Sequence, residues 1–312
     1  MIKQVVFYFF IGLFLSSSIH AKPIQNPAYT MIIDAGSTGS RIHLFEYYMQ
    51  FNIPVIHELF SESSKPGLAS YENMPEAAGS SLKKLIEDAL LEAQKKQLDP
   101  AKIRINLYGT AGMRLIAPEK QAAIYQQVSL FIKNNYSLIP GEIKTIPGNL
   151  EGLFGWLDLN YLLKSFDSPV DITQGSIDVG GSSIEIAFST LANTNSSDYF
   201  RLFIGGQAYT IYSKSFLGLG LSEALHHINM QPLAESCYPK HYALNSTQQG
   251  NFNFESCKNL YVDLIKQHAV QQELPSLANK NFVAYSGAYH TENFFDVAQK
   301  PSQENLLAHI QT

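Results

Sequence analysis

A short pattern that occurs twice, about one domain length apart, constrains the fold of this chain more than any other feature. In each copy an apolar run ends at an aspartate, Asp34 or Asp178, and a turn of small residues follows. A second run in which apolar and polar residues alternate comes next, at residues 41–44 and 184–188. Each copy therefore predicts a strand, a tight turn and a returning strand.

The residue types in these turns suit phosphate binding. Glycines allow backbone N–H groups to approach phosphate oxygens, and serine or threonine hydroxyls add further donors. An aspartate at the end of a strand can hold a hydrated divalent cation, Mg²⁺ or Ca²⁺. One such turn is usually an ordinary Asx-turn hairpin. Two copies with matching flanks favour a pair of loops that hold a polyphosphate from both sides of a cleft.

The segment between the copies predicts further α/β elements. A helical pattern starts at Pro75, and alternation over residues 103–107 predicts a strand that leads into another turn of small residues. A weaker strand covers residues 143–146, and a helix follows with Glu151 in its first turn. A carboxylate at that position either stabilises the helix dipole or points into the cleft.

The N-terminal segment predicts an extracytoplasmic protein. Lys3 precedes an apolar run over residues 5–15, and small residues lead to Ala21, which is typical of a secretory signal cleaved near that residue. The alternative is an uncleaved membrane anchor. We expect no stable membrane span after cleavage, because no other apolar run approaches membrane length. In a secreted or periplasmic protein Cys237 and Cys257 would pair, the alternative being two buried thiols.

Composition limits the function classes and the number of domains. With 22 basic and 27 acidic residues the chain has a net charge of -5, which argues against a nucleic-acid partner. Its 312 residues predict two domains. The expected division is a signal peptide at 1–21, an N-terminal α/β domain at 22–160 and a C-terminal α/β domain at 161–312.

Several segments, in order, resemble the conserved regions of the ecto-nucleoside triphosphate diphosphohydrolases, or apyrases. Residues 33–43 resemble the first region and residues 110–115 the second. Glu151 and Gly152, with Trp156 and Asn160, resemble the third region, and residues 178–183 resemble the fourth. Residues 212–221 resemble the stretch between the fourth and fifth regions, and residues 282–286 resemble the beginning of the fifth. The resemblance covers almost the whole chain after the signal segment.

This resemblance implies a fold and an activity. The fold would be two related ribonuclease-H-like α/β domains around a nucleotide cleft, as in actin, sugar kinases and chaperone ATPases. The activity would be hydrolysis of the terminal phosphate of nucleoside tri- and diphosphates by direct attack of water. The substrates would be of the ATP, ADP, GDP and UDP class, and the cofactor would be Mg²⁺ or Ca²⁺. The sequence indicates no oligomeric state.

The resemblance also implies roles for individual residues. Glu151 would be the base that orients the attacking water, Ser183 would help to hold that water, and Asp34 and Asp178 would hold the hydrated metal. Tyr289 would stack on the base, and the Cys237–Cys257 pair resembles a family disulfide. The phosphate-binding residues would be Gly36, Ser37, Thr38, Gly39, Thr110, Ala111, Gly180, Gly181 and Ser182.

Two departures from the family pattern bear on catalysis. Glu185 occupies a position where the family usually carries glutamine, and an ionised glutamate can only accept hydrogen bonds. We expect Glu185 to share in positioning the water or to shift the metal or pH preference. The chain ends at Thr312, soon after the fifth region, so we expect a shortened C-terminal domain. The alternatives are an exopolyphosphatase or guanosine pentaphosphatase-like hydrolase and a secreted nucleotide-binding protein with impaired turnover.

Overall fold

The computed structural model describes residues 27–50, 53–168, 171–192, 195–268, 275 and 280–294. The predicted signal peptide at 1–21 lies outside these ranges. None of the helices within them has both the length and the apolar character needed to cross a membrane.

Two mixed sheets form the centre of the described structure. The first sheet contains β1 (Ala28–Ala35), β2 (Ser40–Gln50), β3 (Ile53–Ser64), β4 (Ile103–Gly109) and β5 (Ile139–Thr145). The second sheet contains β6 (Gly175–Val179), β7 (Ser183–Ser189), β8 (Tyr199–Ile204), β9 (Gln207–Leu217) and β10 (Phe282–Ser286).

Helices connect and cover these sheets. The α-helices are α1 (Ala78–Ser81), α2 (Lys83–Lys95), α3 (Ala111–Arg114), α4 (Pro118–Asn135), α5 (Gly148–Leu162), α6 (Leu221–Asn229), α7 (Phe254–Gln267) and α8 (Gly287–Phe294). Short 3₁₀ helices cover Leu68–Tyr71, Pro75–Ala77, Pro100–Lys102, Ser165–Asp167 and Ala234–Cys237.

The two sheets share one strand arrangement. Their orders are β3-β2-β1-β4-β5 and β10-β6-β7-β9-β8. In the first, β1 pairs antiparallel with β2 and parallel with β4; in the second, β6 pairs antiparallel with β7 and parallel with β10. The run β3-β2-β1-β4 therefore matches the run β9-β7-β6-β10. This correspondence confirms the prediction of two related α/β units.

Among the described residues the hydrophobic core contains three clusters. The first cluster packs the outer face of the first sheet against α2 and α4, through residues such as Ile33, Ile86 and Val128. The second surrounds α5 and joins both sheets, through Phe45 and Ile211. The third packs the second sheet against α6 and α7. Because α5 lies between the sheets, its N-terminal end is available to both units.

The predicted elements agree with the structure except at their ends. The strands predicted around residues 29–33 and 103–107 form β1 and β4, and the two hairpins form as predicted. The helical pattern from Pro75 is divided into a 3₁₀ turn, α1 and α2, since Leu82 interrupts the regular helix. The helix that carries Glu151 begins earlier, at Gly148.

Cys237 and Cys257 form the predicted disulfide. The boundary proposed at residues 160 and 161 falls near the end of α5. That helix packs closely against the second sheet. Ser213 on β9, for example, donates its hydroxyl to the Asn149 carbonyl at 2.7 Å. The division of the chain at that boundary remains a prediction.

The single tryptophan provides a test of the layered core. Trp156 on α5 is fully buried and lies against Phe166 and Tyr209, with ring centroids 5.7 and 5.8 Å away. We expect Trp156→Ala to lower the free energy of unfolding by about 3–5 kcal/mol, because it leaves a cavity between the sheets. Urea denaturation followed by circular dichroism measures this change. The matched control is Leu91→Ala, at an exposed position on α2, and an equal loss in both variants would contradict the layered core.

Candidate active site

The two predicted phosphate turns meet in the structure. One joins β1 to β2 and the other joins β6 to β7. A Cβ atom placed on Gly181 would overlap with Ser37 Oγ and would lie 3.2 Å from Thr38 Cγ2. A larger residue would force the Ser37 hydroxyl into another rotamer, so the backbone of the second turn packs directly on the side chains of the first.

Two further backbone segments enclose the first turn. The Thr110 N–H donates to the Ala35 carbonyl at 3.2 Å, which anchors the small-residue turn after β4 beside β1. A Cβ atom on Gly112 would lie 2.6 Å from Ser37 Cα, and one on Gly67 would lie 2.6 Å from the Ser37 carbonyl oxygen. The structure therefore brings the predicted first, second and fourth regions together around Ser37.

The start of α6 fixes the second turn. The N–H groups of Leu221 and Ser222 donate to the carbonyls of Gly180 and Gly181 at 2.9 and 2.8 Å. The Gly218 N–H donates to the Ser182 carbonyl at 2.8 Å. These bonds use the carbonyl oxygens of the turn and hold its backbone in one conformation. Within the turn the Gly180 N–H donates to the Ser183 carbonyl at 3.0 Å.

The two aspartates lie at the cleft ends of β1 and β6 and are each only 8% exposed. Burial raises the pKa of Asp34, the charges of Arg41 and His43 lower it, and the negative charge of Asp178 raises it. Arg41 Nη1 is 3.8 Å from Asp34 Oδ2. Asp34 Oδ1 is buried and accepts no hydrogen bond from the described residues. With Asp178 beside it, Asp34 makes this part of the site negative.

These features fit a divalent cation. Carboxylate oxygens are hard ligands of the kind that Mg²⁺ and Ca²⁺ prefer. The buried Asp34 Oδ1, which accepts no hydrogen bond from the described residues, is such an oxygen. Within the described ranges no group of three or more His, Cys, Asp or Glu residues forms a metal cage.

Glu151 is delivered to the cleft by the N-terminal turn of α5. Its Oε2 accepts a hydrogen bond from Arg114 Nη1 at 2.6 Å. Burial and the neighbouring charge of Glu185 raise the pKa of Glu151 well above its ordinary value, whereas the charge and hydrogen bond of Arg114 lower it. Of the two alternatives left open by the sequence, the structure favours a carboxylate that points into the cleft.

Glu185 on β7 is 2% exposed and lies beside the same arginine. Its Oε1 accepts hydrogen bonds from Ser183 Oγ at 2.5 Å and Ser215 Oγ at 2.6 Å, and it lies 3.4 Å from Arg114 Nη2. Burial and the charge of Asp178 raise the pKa of Glu185 to about 7, although the two hydroxyls and Arg114 lower it. Glu185 is therefore part of the active-site network and directly engages Ser183.

Sequence reasoning missed Arg114 and Ser215 as members of this network. Arg114 lies within the second region, directly after a turn of small residues. A positively charged side chain at that position, near several predicted acidic residues, was the signal that could have identified it. Ser215 lies on β9 within residues 212–221, and only tertiary structure places its hydroxyl beside Glu185.

Tyr289 lies farther from these contacts. It is on α8, which follows β10, and Tyr285 on β10 pairs with Asp178 on β6, so α8 starts at the cleft edge of the second sheet. The Tyr289 ring is 44% exposed and has an edge contact with His290. Its stacking on a nucleotide base remains a prediction.

Fold and site together place the chain among the actin-like α/β proteins with two related units around a cleft. Residues 20–312 match the GDA1/CD39 (nucleoside phosphatase) family. The chain belongs to that family, as the resemblance implied.

Comparison with individual proteins agrees with this assignment. The chain is 28% identical to "Probable apyrase 3" of Arabidopsis thaliana, over 89% of the chain and 66% of the relative. It is 28% identical to ectonucleoside triphosphate diphosphohydrolase 5 of Gallus gallus, over 84% of the chain and 67% of the relative. The chain thus spans about two thirds of the length of these relatives. A crystal structure of the Aquifex aeolicus member of the Ppx/GppA family shares the fold, with 14% identity, a TM-score of 0.50 and coverage of 89% of this chain and 73% of that one.

The contact between the turns predicts a defect from one added methyl group. We expect Gly181→Ala to weaken binding of a non-hydrolysable ATP analogue by about tenfold or more, because the new Cβ displaces Ser37. Isothermal titration calorimetry measures the affinity, and the melting temperature shows whether the variant is folded. Unchanged affinity in a folded variant would contradict the tight approach of the two turns.

The raised pKa of Glu185 predicts a pH-dependent loss of stability. Between pH 4.5, its ordinary pKa, and about 7 the folded protein keeps a proton that the unfolded chain releases, so stability falls as the pH rises. The contribution is on the order of 3 kcal/mol. We expect Glu185→Gln to remove this contribution in urea titrations at several pH values with chelator present. The same pH dependence in both proteins would contradict the buried titration.

Proposed function

We propose that this protein hydrolyses the terminal phosphate of nucleoside tri- and diphosphates by direct attack of water, with a divalent cation. The observation that carries the proposal is the convergence of both phosphate turns with Glu151 in one cleft. Membership of the nucleoside phosphatase family supports the same reaction. The substrates are proposed to be of the ATP, ADP, GDP and UDP class, since the turns suit phosphates that all nucleotides share.

The charge of the cleft explains the proposed metal requirement. Asp34, Asp178, Glu151 and Glu185 would repel a polyphosphate. When bound, Mg²⁺ or Ca²⁺ would offset that repulsion and neutralise charge on the phosphates. Asp34 and Asp178 are the residues proposed to hold it, through water.

The protein groups supply positioning and proton acceptance. The two turns offer N–H and hydroxyl donors to phosphate oxygens. The residues concerned are Gly36, Ser37, Thr38 and Gly39 on one side and Gly181 and Ser182 on the other, with Thr110 and Ala111 beside them. Gly180 shapes the second turn, since its own N–H donates to the Ser183 carbonyl. Glu151 orients a water, whose oxygen bonds to the terminal phosphorus. The bond from that phosphorus to the bridging oxygen breaks, and its electron pair leaves with the nucleotide product.

Proton acceptance in this reaction falls to Glu151. Phosphoryl transfer has a loose transition state, so the proton can move late and a carboxylate is basic enough. Its raised pKa makes Glu151 a better acceptor, and Arg114 favours the ionised form that the reaction needs. Ser183 and Glu185 are proposed to hold the water beside it.

We place this activity in an extracytoplasmic compartment. The N-terminal sequence has the pattern of a secretory signal, and the Cys237–Cys257 disulfide is typical of proteins that fold in an oxidising environment. The name of the Gallus gallus relative, ectonucleoside triphosphate diphosphohydrolase 5, is consistent with this location.

Phosphate release by the purified chain tests the proposal. We expect release from ATP, ADP, GDP or UDP with Mg²⁺ or Ca²⁺ and none with chelator. Glu151→Gln should lower kcat by about 100-fold or more, because the amide cannot accept the proton. The matched control is Glu119→Gln, which changes an exposed glutamate in the first turn of α4 and should keep wild-type kcat.

The same assay distinguishes the alternatives. Strong preference for long polyphosphate over nucleotides would support the exopolyphosphatase-like reading instead. Nucleotide binding without release at any metal would identify a binding protein with impaired turnover. Full activity in Glu151→Gln would refute the assigned base.

A further inference from the structure

Arg114 links the two units at the reacting end of the cleft. It is the last residue of α3 in the first unit, and its side chain is 14% exposed. Nη1 donates to Glu151 Oε2 at 2.6 Å and to the Ile146 carbonyl at 3.2 Å. Nη2 lies 3.4 Å from Glu185 Oε1 and 3.3 Å from Ser183 Oγ. A guanidinium is planar with fixed donors, so these contacts set the two carboxylates relative to each other.

The contacts use one oxygen of each carboxylate. Glu151 Oε2 and Glu185 Oε1 receive the hydrogen bonds, and Glu185 Oε1 also receives those of Ser183 and Ser215. The other two oxygens, Glu151 Oε1 and Glu185 Oε2, accept no hydrogen bond from the part of the chain that the structure describes. Arg114 therefore determines which Glu151 oxygen is left for a water.

The direction of the Ser183 hydrogen bond has a further consequence. A hydroxyl has one O–H and two lone pairs, and the Ser183 O–H donates a hydrogen bond to Glu185 Oε1. Toward a water Ser183 can then act only as an acceptor. A water between Glu151 Oε1 and Ser183 Oγ would donate both protons to the protein and turn its lone pairs toward the phosphorus.

We propose that Arg114 is the positioning residue of this site, which holds Glu151 and Glu185 by one oxygen each so that Glu151 Oε1 and Ser183 Oγ accept hydrogen bonds from the attacking water. This inference rests on the proposed hydrolysis. Arg114 acts through protein groups, so its loss should affect turnover more than substrate binding. Without its charge two buried carboxylates would repel each other, and the arrangement would be lost.

Kinetics of the full-length chain test this role. We expect Arg114→Ala to lower kcat by about 100-fold with KM changed no more than a few-fold. Added guanidinium at low millimolar concentration should restore part of kcat in Arg114→Ala and none in Glu151→Gln. Arg114→Lys should recover only part, because an ammonium lacks the planar fork. The control is Arg104→Ala, an exposed arginine on β4 that donates to the Pro140 carbonyl.

A double-mutant cycle of melting temperatures tests the same arrangement without measuring turnover. In wild type, Glu185→Gln should raise the melting temperature less than it does in Arg114→Ala, because Arg114 compensates part of the Glu185 charge. In Arg114→Ala the same substitution should raise it, since it removes a buried charge without a partner. Equal shifts in both backgrounds would overturn the proposal, even for a chain that releases no phosphate. So would wild-type kcat in Arg114→Ala. A wild-type chain without phosphate release contradicts the proposed function alone.

Discussion

The concentration of buried negative charge is the constraint on which the rest of the site depends. Asp34, Asp178, Glu151 and Glu185 converge from both units, and burial raises the pKa of Asp34, Glu151 and Glu185. Burying a charge is expensive unless a partner offsets it. Arg114 offsets the pair of glutamates. Asp34 has the exposed Arg41 at 3.8 Å, and its buried Oδ1 accepts no hydrogen bond from the described residues, so this part of the site favours a cation.

The fold explains how residues so distant in sequence share one cleft. Each unit presents a hairpin turn at the same edge of its sheet, and α5 lies between the sheets with its first turn at that edge. Glycines at the contact, Gly181 and Gly112, allow the turns to approach to van der Waals distance of Ser37. The geometry of the site thus depends on the packing of the two units. Trp156 stabilises that packing from the shared core without contacting the site.

Much of this architecture could be predicted because repetition and alternation are local signals. The turns after Asp34 and Asp178, the strands beside them and the helix of Glu151 follow from spacing alone. β3 was not predicted, because it is an edge strand with many exposed polar residues and lacks clean alternation. The Arg114 network was also beyond reach of the sequence. Its contact with Ser215 spans 101 positions and exists only once the two units pack together.

Glu185 illustrates the value of combining both kinds of reasoning. Its departure from the family pattern is visible in the sequence, but its consequence depends on partners that only the structure identifies. Glu185 accepts a hydrogen bond from the Ser183 hydroxyl and thereby fixes the direction in which that hydroxyl donates. A glutamine could donate instead, and the water would then meet a different set of donors and acceptors.

The most direct test of the account is a crystal structure of the chain with a non-hydrolysable ATP analogue and Ca²⁺. The account predicts the terminal phosphate between the Ser37 and Gly181 turns, the cation beside Asp34 and Asp178, and a water within about 3 Å of Glu151 Oε1. Phosphates bound to one turn only, or a nucleotide outside the cleft, would contradict the claim that both units form one catalytic site.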